Sequence, residues 1–158
     1  MTKLKIAIQG ELGAYSHIAV ENLYKDANIK TCATFEETFK QAYNDPTCKI
    51  VIPIENSIAG RVADIHYLLP KYKLQIHGEY FLPVEHNLLG KLDAKIEDIK
   101  YIRSHAQAIS RCQNIITEKN FQPIISVDTA GSAKDLAEGK DKNIAAIASN
   151  LSAKMYNL

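Results

Sequence analysis

Cysteine is scarce in this 158-residue chain, and Cys32, Cys48 and Cys112 show no C-x-x-C spacing. A disulfide framework and a thiolate zinc site are therefore not expected, and a reducing cytoplasm fits this usage better. A surplus of charge is also missing. The formal net charge is +1 and the lysines form no stripe, so neither nucleic acid nor an anionic membrane is the expected partner. No apolar run approaches the roughly 20 residues that span a bilayer. The opening, MTKLKIAIQG, has too short an apolar core for a secretory signal and reads as a first strand. Internal repeats and low-complexity tracts are absent. Asn150-Leu151-Ser152 matches a glycosylation sequon, which carries no weight without a secretory signal.

What is present is a globular composition, 46% hydrophobic and 23% charged, in the range that packs a core. The length suits one domain or two small lobes. Strand-like runs at residues 4–8, 29–33, 49–53, 99–103, 123–127 and 143–148 alternate with helical patterns. The helices are expected at 16–24, from Thr34 onward, at 61–69 before Pro70, at 107–118, from Thr129 to Gly139, and from near Asn150. Thr34 and Glu37 have capping-box spacing. Phe35, Phe39 and Tyr43 recur every fourth residue and read as a core face. Such alternation predicts an α/β fold with mainly parallel sheets flanked by helices. The long extended stretch at 74–89, interrupted by Pro83, marks the expected boundary, giving lobes at 1–73 and 74–158.

Ligands of open α/β sheets bind beyond the carboxyl ends of the strands, where helices begin. Four polar junctions fall at such places: QGELGAYSH (9–17), ENSIAG (55–60), SHAQA (104–108) and DTAGS (128–132). Free backbone amides and the helix dipole favour anions there. One junction alone would be ordinary capping, and Ser57, Ser104 and Thr129 are each good cap residues. Four junctions, two on each side of the boundary, suggest a cleft for a small anion. Gly10 and Gly13 lack the third glycine and first spacing of a dinucleotide loop. Ser57 is not in a G-x-S-x-G elbow. His66 and His77 read as helix-surface and strand residues, whereas His17, His86 and His105 lie near junctions and suit a polar orienting role. No acidic residue accompanies them at ligand spacing, so no metal site is expected. Glu55 has two readings, a general base strengthened by burial or, preferred, a structural carboxylate bonding nearby amides.

Taken together, these motifs resemble the catalytic domain of the prephenate dehydratases. The resemblance runs from Gly10-Glu11-Leu12-Gly13-Ala14-Tyr15-Ser16 through Pro53-Ile54-Glu55-Asn56-Ser57-Ile58-Ala59-Gly60, its most specific element. It continues through His86-Asn87-Leu88-Leu89 and Ser104-His105-Ala106-Gln107-Ala108 with Cys112. Asp128-Thr129-Ala130 and Ala145-Ala146-Ile147-Ala148-Ser149 complete it in the same order.

The resemblance implies a two-lobed fold like that of type II periplasmic binding proteins, with the active site in the interlobe cleft. The implied reaction converts prephenate to phenylpyruvate, carbon dioxide and water in phenylalanine biosynthesis, with no cofactor and no metal. Relatives that act on arogenate, and non-catalytic modules binding a small anion, are the alternatives. Asn56, Ser57 and Ser104 are the implied catalytic residues, and Ser16, His105, Gln107, Arg111 and Thr129 the implied substrate-binding ones. Arg111 stands where many relatives have glutamine. Its spacing from Gln107 puts both on one helix face, where the arginine either pairs with a substrate carboxylate or faces solvent. A cytoplasmic homo-oligomer, dimer or tetramer, is the implied setting. Relatives continue into a strand with a T-R-F motif, whose threonine is the favoured proton donor. This sequence reaches Leu158 without it and without the ACT regulatory domain, so the first lobe is expected to lack its return segment.

Overall fold

The computed structural model describes residues 3–158, and Met1 and Thr2 of the opening segment lie outside the described residues. Contacts divide the chain into two compact units. The first runs through Glu11 and from Tyr15 to Pro83, and the second takes Leu12–Ala14 and Val84–Leu158. Residues 74–83 therefore go with the first unit, and only the end of the expected extended stretch, Asn87–Leu89, forms a strand.

In the first unit β1 (Lys5–Gln9) pairs in parallel with β2 (Asn28–Cys32) on one side and β3 (Cys48–Ile50) on the other. Ile6, Ala7 and Ile8 of β1 are all buried, as a central parallel strand covered on both faces requires. α1 (Tyr15–Leu23) lays Val20 against Ile6 and Ile8. α2 (Phe35–Asn44) and α3 (Ala63–Tyr72) close the other face, with Phe39, Ile65 and Leu68 in one buried cluster.

The α2 capping box forms with a one-residue shift at its return arm. Glu37 N–H donates to Thr34 Oγ1 at 3.1 Å, but the Glu37 carboxylate accepts from Ala33 N–H at 3.0 Å rather than from Thr34. Tyr43 is not core. It is 61% exposed and forms a T-shaped pair with Tyr72, with ring centroids 5.5 Å apart. Pro70 does not end α3 but sits in its last turn. A proline there forfeits one backbone hydrogen bond. Tyr72 holds the turn, its hydroxyl donating to Glu36 at 2.9 Å and its ring lying 5.9 Å from Phe39.

In the second unit β7 (Tyr101–His105) is the central strand, parallel to β8 (Gln122–Ser126) and β9 (Ile144–Ala148), and β6 (Asn87–Leu89) lies antiparallel on β9. Ile102, Ile109, Ile116, Phe121 and Ile147 form its main core. The helix expected at 107–118 is divided into α4 (Ala106–Arg111) and α5 (Gln113–Glu118) at Cys112. α6 (Thr129–Glu138) is capped by Asp128, not Thr129, with Gly131 N–H donating to Asp128 Oδ1 at 2.6 Å. At its far end Lys91 Nζ donates to the Gly139 carbonyl at 2.5 Å, a cation placed where the helix dipole favours one.

α7 (Asn150–Tyr156) grips residues 12–14. Ser149 and Ser152 hydroxyls both donate to the Gly13 carbonyl, at 2.6 and 3.0 Å, and the Tyr156 hydroxyl donates to the Leu12 carbonyl at 2.8 Å. Gly13 is doubly required: its φ is +92°, and an added Cβ would lie 2.5 Å from Ser152 Oγ and 2.9 Å from Ser152 Cα.

Two outcomes follow for stability. Gly13→Ala is expected to lower it by at least about 2 kcal/mol, read as a reduced urea midpoint, because strain and overpacking act together. Asp45 is held at a pKa of about 2, first by the Thr47 hydroxyl and then by Lys5 and the Thr47 amide. A depressed carboxylate contributes stability above its unfolded pKa and loses it as pH falls through the folded one. Asp45→Asn is therefore expected to be less stable than the parent at pH 7, the difference vanishing in melts taken from about pH 4 down to about pH 2.

Candidate anion site at the strand ends

The first unit supplies Ser16, Asn56 and Ser57 from segments that follow β1 and β3. Ser16 is half-buried in the first turn of α1. ENSIAG, expected to open a helix at Ser57, is instead a β-hairpin of β4 (Glu55–Asn56) and β5 (Gly60–Arg61). Asn56 Oδ1 accepts from the Ile58 and Ala59 amides at 3.0 and 3.1 Å and so organises the turn. Gly60, at φ +78°, lets the chain return. Ser57 is exposed at the hairpin tip, and α3 begins at Ala63, after Val62, without a side-chain cap. Glu55 is exposed opposite Arg61, so the burial that the general-base reading required is not there.

In the second unit Ser104, His105, Gln107 and Arg111 run along the end of β7 and through α4. Thr129 opens α6 just beyond β8, whose Ser126 is the register partner of His105, so these residues share one edge of the sheet. Ser104 lies deeper than expected. It is 0% exposed and its Oγ donates to the Ile147 carbonyl at 2.6 Å, tying β7 to β9. That bond fixes the end of β7, where His105 is the next residue. His105 Nδ1 accepts from the Gln107 amide at 3.3 Å, which in the neutral ring leaves the proton on Nε2. Gln107 is exposed, and Arg111 and Thr129 are half-buried.

Two histidines outside the predicted set are electrostatically tuned. Burial pushes His17 below its ordinary pKa, against the pull of Glu21, whose carboxylate is 3.5 Å from Nε2. His86 is held low by burial and then by the Arg111 guanidinium. Sequence reasoning gave His86 no ligand, and its coupling to Arg111 spans residues too far apart in the chain for spacing to show. Among the described residues no three His, Cys, Asp or Glu side chains gather as metal ligands, and no helix is long and apolar enough to cross a membrane.

The elements define a class, that of α/β proteins built on mainly parallel sheets flanked by helices. Residues 6–158 match the prephenate dehydratase family. The bifunctional N-acyl-homoserine lactone acylase/prephenate dehydratase of Komagataeibacter europaeus is 39% identical over 153 residues, covering 97% of this chain and 54% of that protein. Arogenate dehydratase/prephenate dehydratase 2 of Arabidopsis thaliana is 36% identical, covering 99% of this chain and 41% of its own length. The crystal structure of the prephenate dehydratase from Staphylococcus aureus superposes with a TM-score of 0.79 at 28% identity, over 96% of this chain and 57% of that one. This chain belongs to the prephenate dehydratase family and shares its type II periplasmic-binding-protein-like fold class. It spans about half the length of the curated relatives it matches.

The structural part played by the Ser104 hydroxyl is read from stability. Ser104→Ala is expected to cost about 1–2 kcal/mol in urea unfolding, the range for a buried hydrogen bond whose acceptor is left unpaired.

Proposed function

We propose that this chain carries out, or supplies the catalytic part of, the decarboxylating dehydration of prephenate to phenylpyruvate in phenylalanine biosynthesis. The observation that carries the reading is the ENSIAG hairpin, the family's most specific motif, folded so that Asn56 organises the turn and Ser57 stands exposed at its tip.

The chemistry asks little of a cofactor. The bond from the ring to its carboxylate breaks, its electron pair completes the aromatic ring, and the hydroxyl leaves from the opposite ring carbon with a proton as water. Aromatisation supplies the driving force. The protein's task is to orient a dianion, help the hydroxyl depart and surround the carboxylate with few waters.

Asn56 meets the substrate through its NH2 end, because its oxygen serves the turn, and Ser57 through its hydroxyl. Ser16, Gln107 and Thr129 add hydrogen bonds, and His105 donates from Nε2. Arg111 is the bidentate partner for a carboxylate, a role that lysine or glutamine would fill with fewer fixed donors. Ser104 acts from beneath by holding the β7 end. A cytoplasmic homo-oligomer is the proposed setting.

A second reading, arogenate as substrate, is favoured by the plant relative whose name carries both activities. Joined to the T-R-F strand that the family resemblance implies and incubated with prephenate, the chain is expected to form phenylpyruvate, read by absorbance in alkali, with slower product formation from arogenate. No product above the uncatalysed rate from either compound overturns the dehydratase reading, and equal or faster arogenate turnover replaces prephenate as the substrate. Asn56→Ala is expected to lower kcat/KM by roughly tenfold or more, because it removes a hydrogen bond to a charged group together with the turn bonds that place Ser57.

A further inference from the structure

β2 and β8 hold corresponding places in the two sheets, each at an edge and each paired with its central strand alone. An edge strand presents unpaired N–H and C=O groups, a template for another strand unless charge, a bulge or a covering element blocks it. β2 is blocked by charge. Its Lys30 is exposed and donates to Gln41 Oε1 of α2 at 2.7 Å. The carboxyl end of β8 is guarded in no such way. Ile124-Ile125-Ser126-Val127 carries no charge, Ile125 is 62% exposed, and Val127, just past the strand, is 81% exposed.

The backbone of β8 limits what can pair with it. Gln122 N–H donates inward to the Lys100 carbonyl at 2.8 Å. Alternation along a parallel ladder then turns the N–H and C=O of Ile125 outward. Pro123, the outward residue before it, has no N–H to offer and is tolerated because it lies on an edge. The stretch after Pro123 is the part of this edge open to a partner strand.

We propose that two copies of this chain pair through this edge, β8 against β8, antiparallel about a two-fold axis at Ser126. That register sets Ile125 opposite Val127 of the second copy, so the exposed apolar side chains of both copies cover one another, and it leaves Pro123 outside the paired stretch. Antiparallel self-pairing closes at two copies, because the same patch serves both partners. It also joins unlike charges. Asp128 follows the carboxyl end of the edge, whereas Lys100 lies beside the amino end and Lys119 stands in the turn before it. Each acidic end is thus turned toward a basic one. The four-stranded sheet of one copy continues into that of the other. The pairing rests on the proposed homo-oligomeric setting, for which it names the surface, and requires no dehydratase activity.

Analytical ultracentrifugation of the chain over a concentration series is expected to show a monomer–dimer equilibrium. Val127→Lys puts a charge where the apolar contact closes and is expected to weaken the dimer roughly tenfold or more. Ile76→Lys, at an exposed apolar position of the first unit, is expected to leave it unchanged. In the unsubstituted chain, hydrogen exchange at the Ile125 amide is expected to slow at dimer concentrations and to quicken on dilution, which tests the edge without any substitution. A monomer at every concentration overturns both the pairing and the homo-oligomeric setting. A dimer that Val127→Lys leaves as tight as before, or an Ile125 amide whose exchange ignores dimerisation, overturns the pairing alone.

Discussion

Parallel pairing around a buried central strand is the constraint on which the rest of each unit depends. β1 and β7 each hold a parallel neighbour on both sides, and β1 buries three consecutive residues to do so. Strands that all point one way deliver every connection to a helix at the same edge of the sheet. Polar residues excluded from the strands collect at that edge, where helix starts and turns offer amide donors. The placing of Ser16, Asn56, His105 and Thr129 is therefore a consequence of topology before it is a matter of chemistry.

Much of this was legible because the central strands are short apolar runs and the helices have ordinary caps. Where the reading failed, two local structures use the same hydrogen bond. A side-chain oxygen at one residue accepting from amides two and three residues on describes both a helix N-cap and an Asx turn. Asn56 does this with Ile58 and Ala59. Only Gly60 at positive φ sends the chain back into a hairpin instead of onward into a helix. Asp128 and Thr129 posed the same ambiguity one residue apart, and the carboxylate took the cap. Pro70 illustrates a different limit. A proline's local cost was outweighed by contacts that Tyr72 makes with Glu36 and Phe39, residues more than thirty positions earlier.

Depth was the least visible property of the candidate site. β7 buries Ile102 and Ser104 and leaves Arg103 and His105 half-buried, the period of two that a pleated strand imposes. A serine two residues after a core isoleucine is carried to the same face. Alternation could have separated Ser104 from His105, had the motif not drawn both into one functional group. His86 and Arg111 could not have been joined in this way, since nothing local relates β6's approach to the end of α4.

The two sheets share one strand order, with the first strand of each triple between the second and the third: β2-β1-β3 and β8-β7-β9. This shared plan separates scaffold from candidate site. After β9 the chain turns at Ser149, which caps α7 directly through the Ser152 amide at 3.0 Å. After β3, at the corresponding step, it inserts the β4–β5 hairpin before α3, and α3 then starts without a side-chain cap. The simpler connection suffices to bring a third strand into a helix, as α7 demonstrates. The hairpin spends extra chain, a glycine at positive φ and an exposed Ser57 on something other than closing the sheet. Departure from the shared plan, more than the presence of polar residues, singles out Asn56 and Ser57 within the first unit.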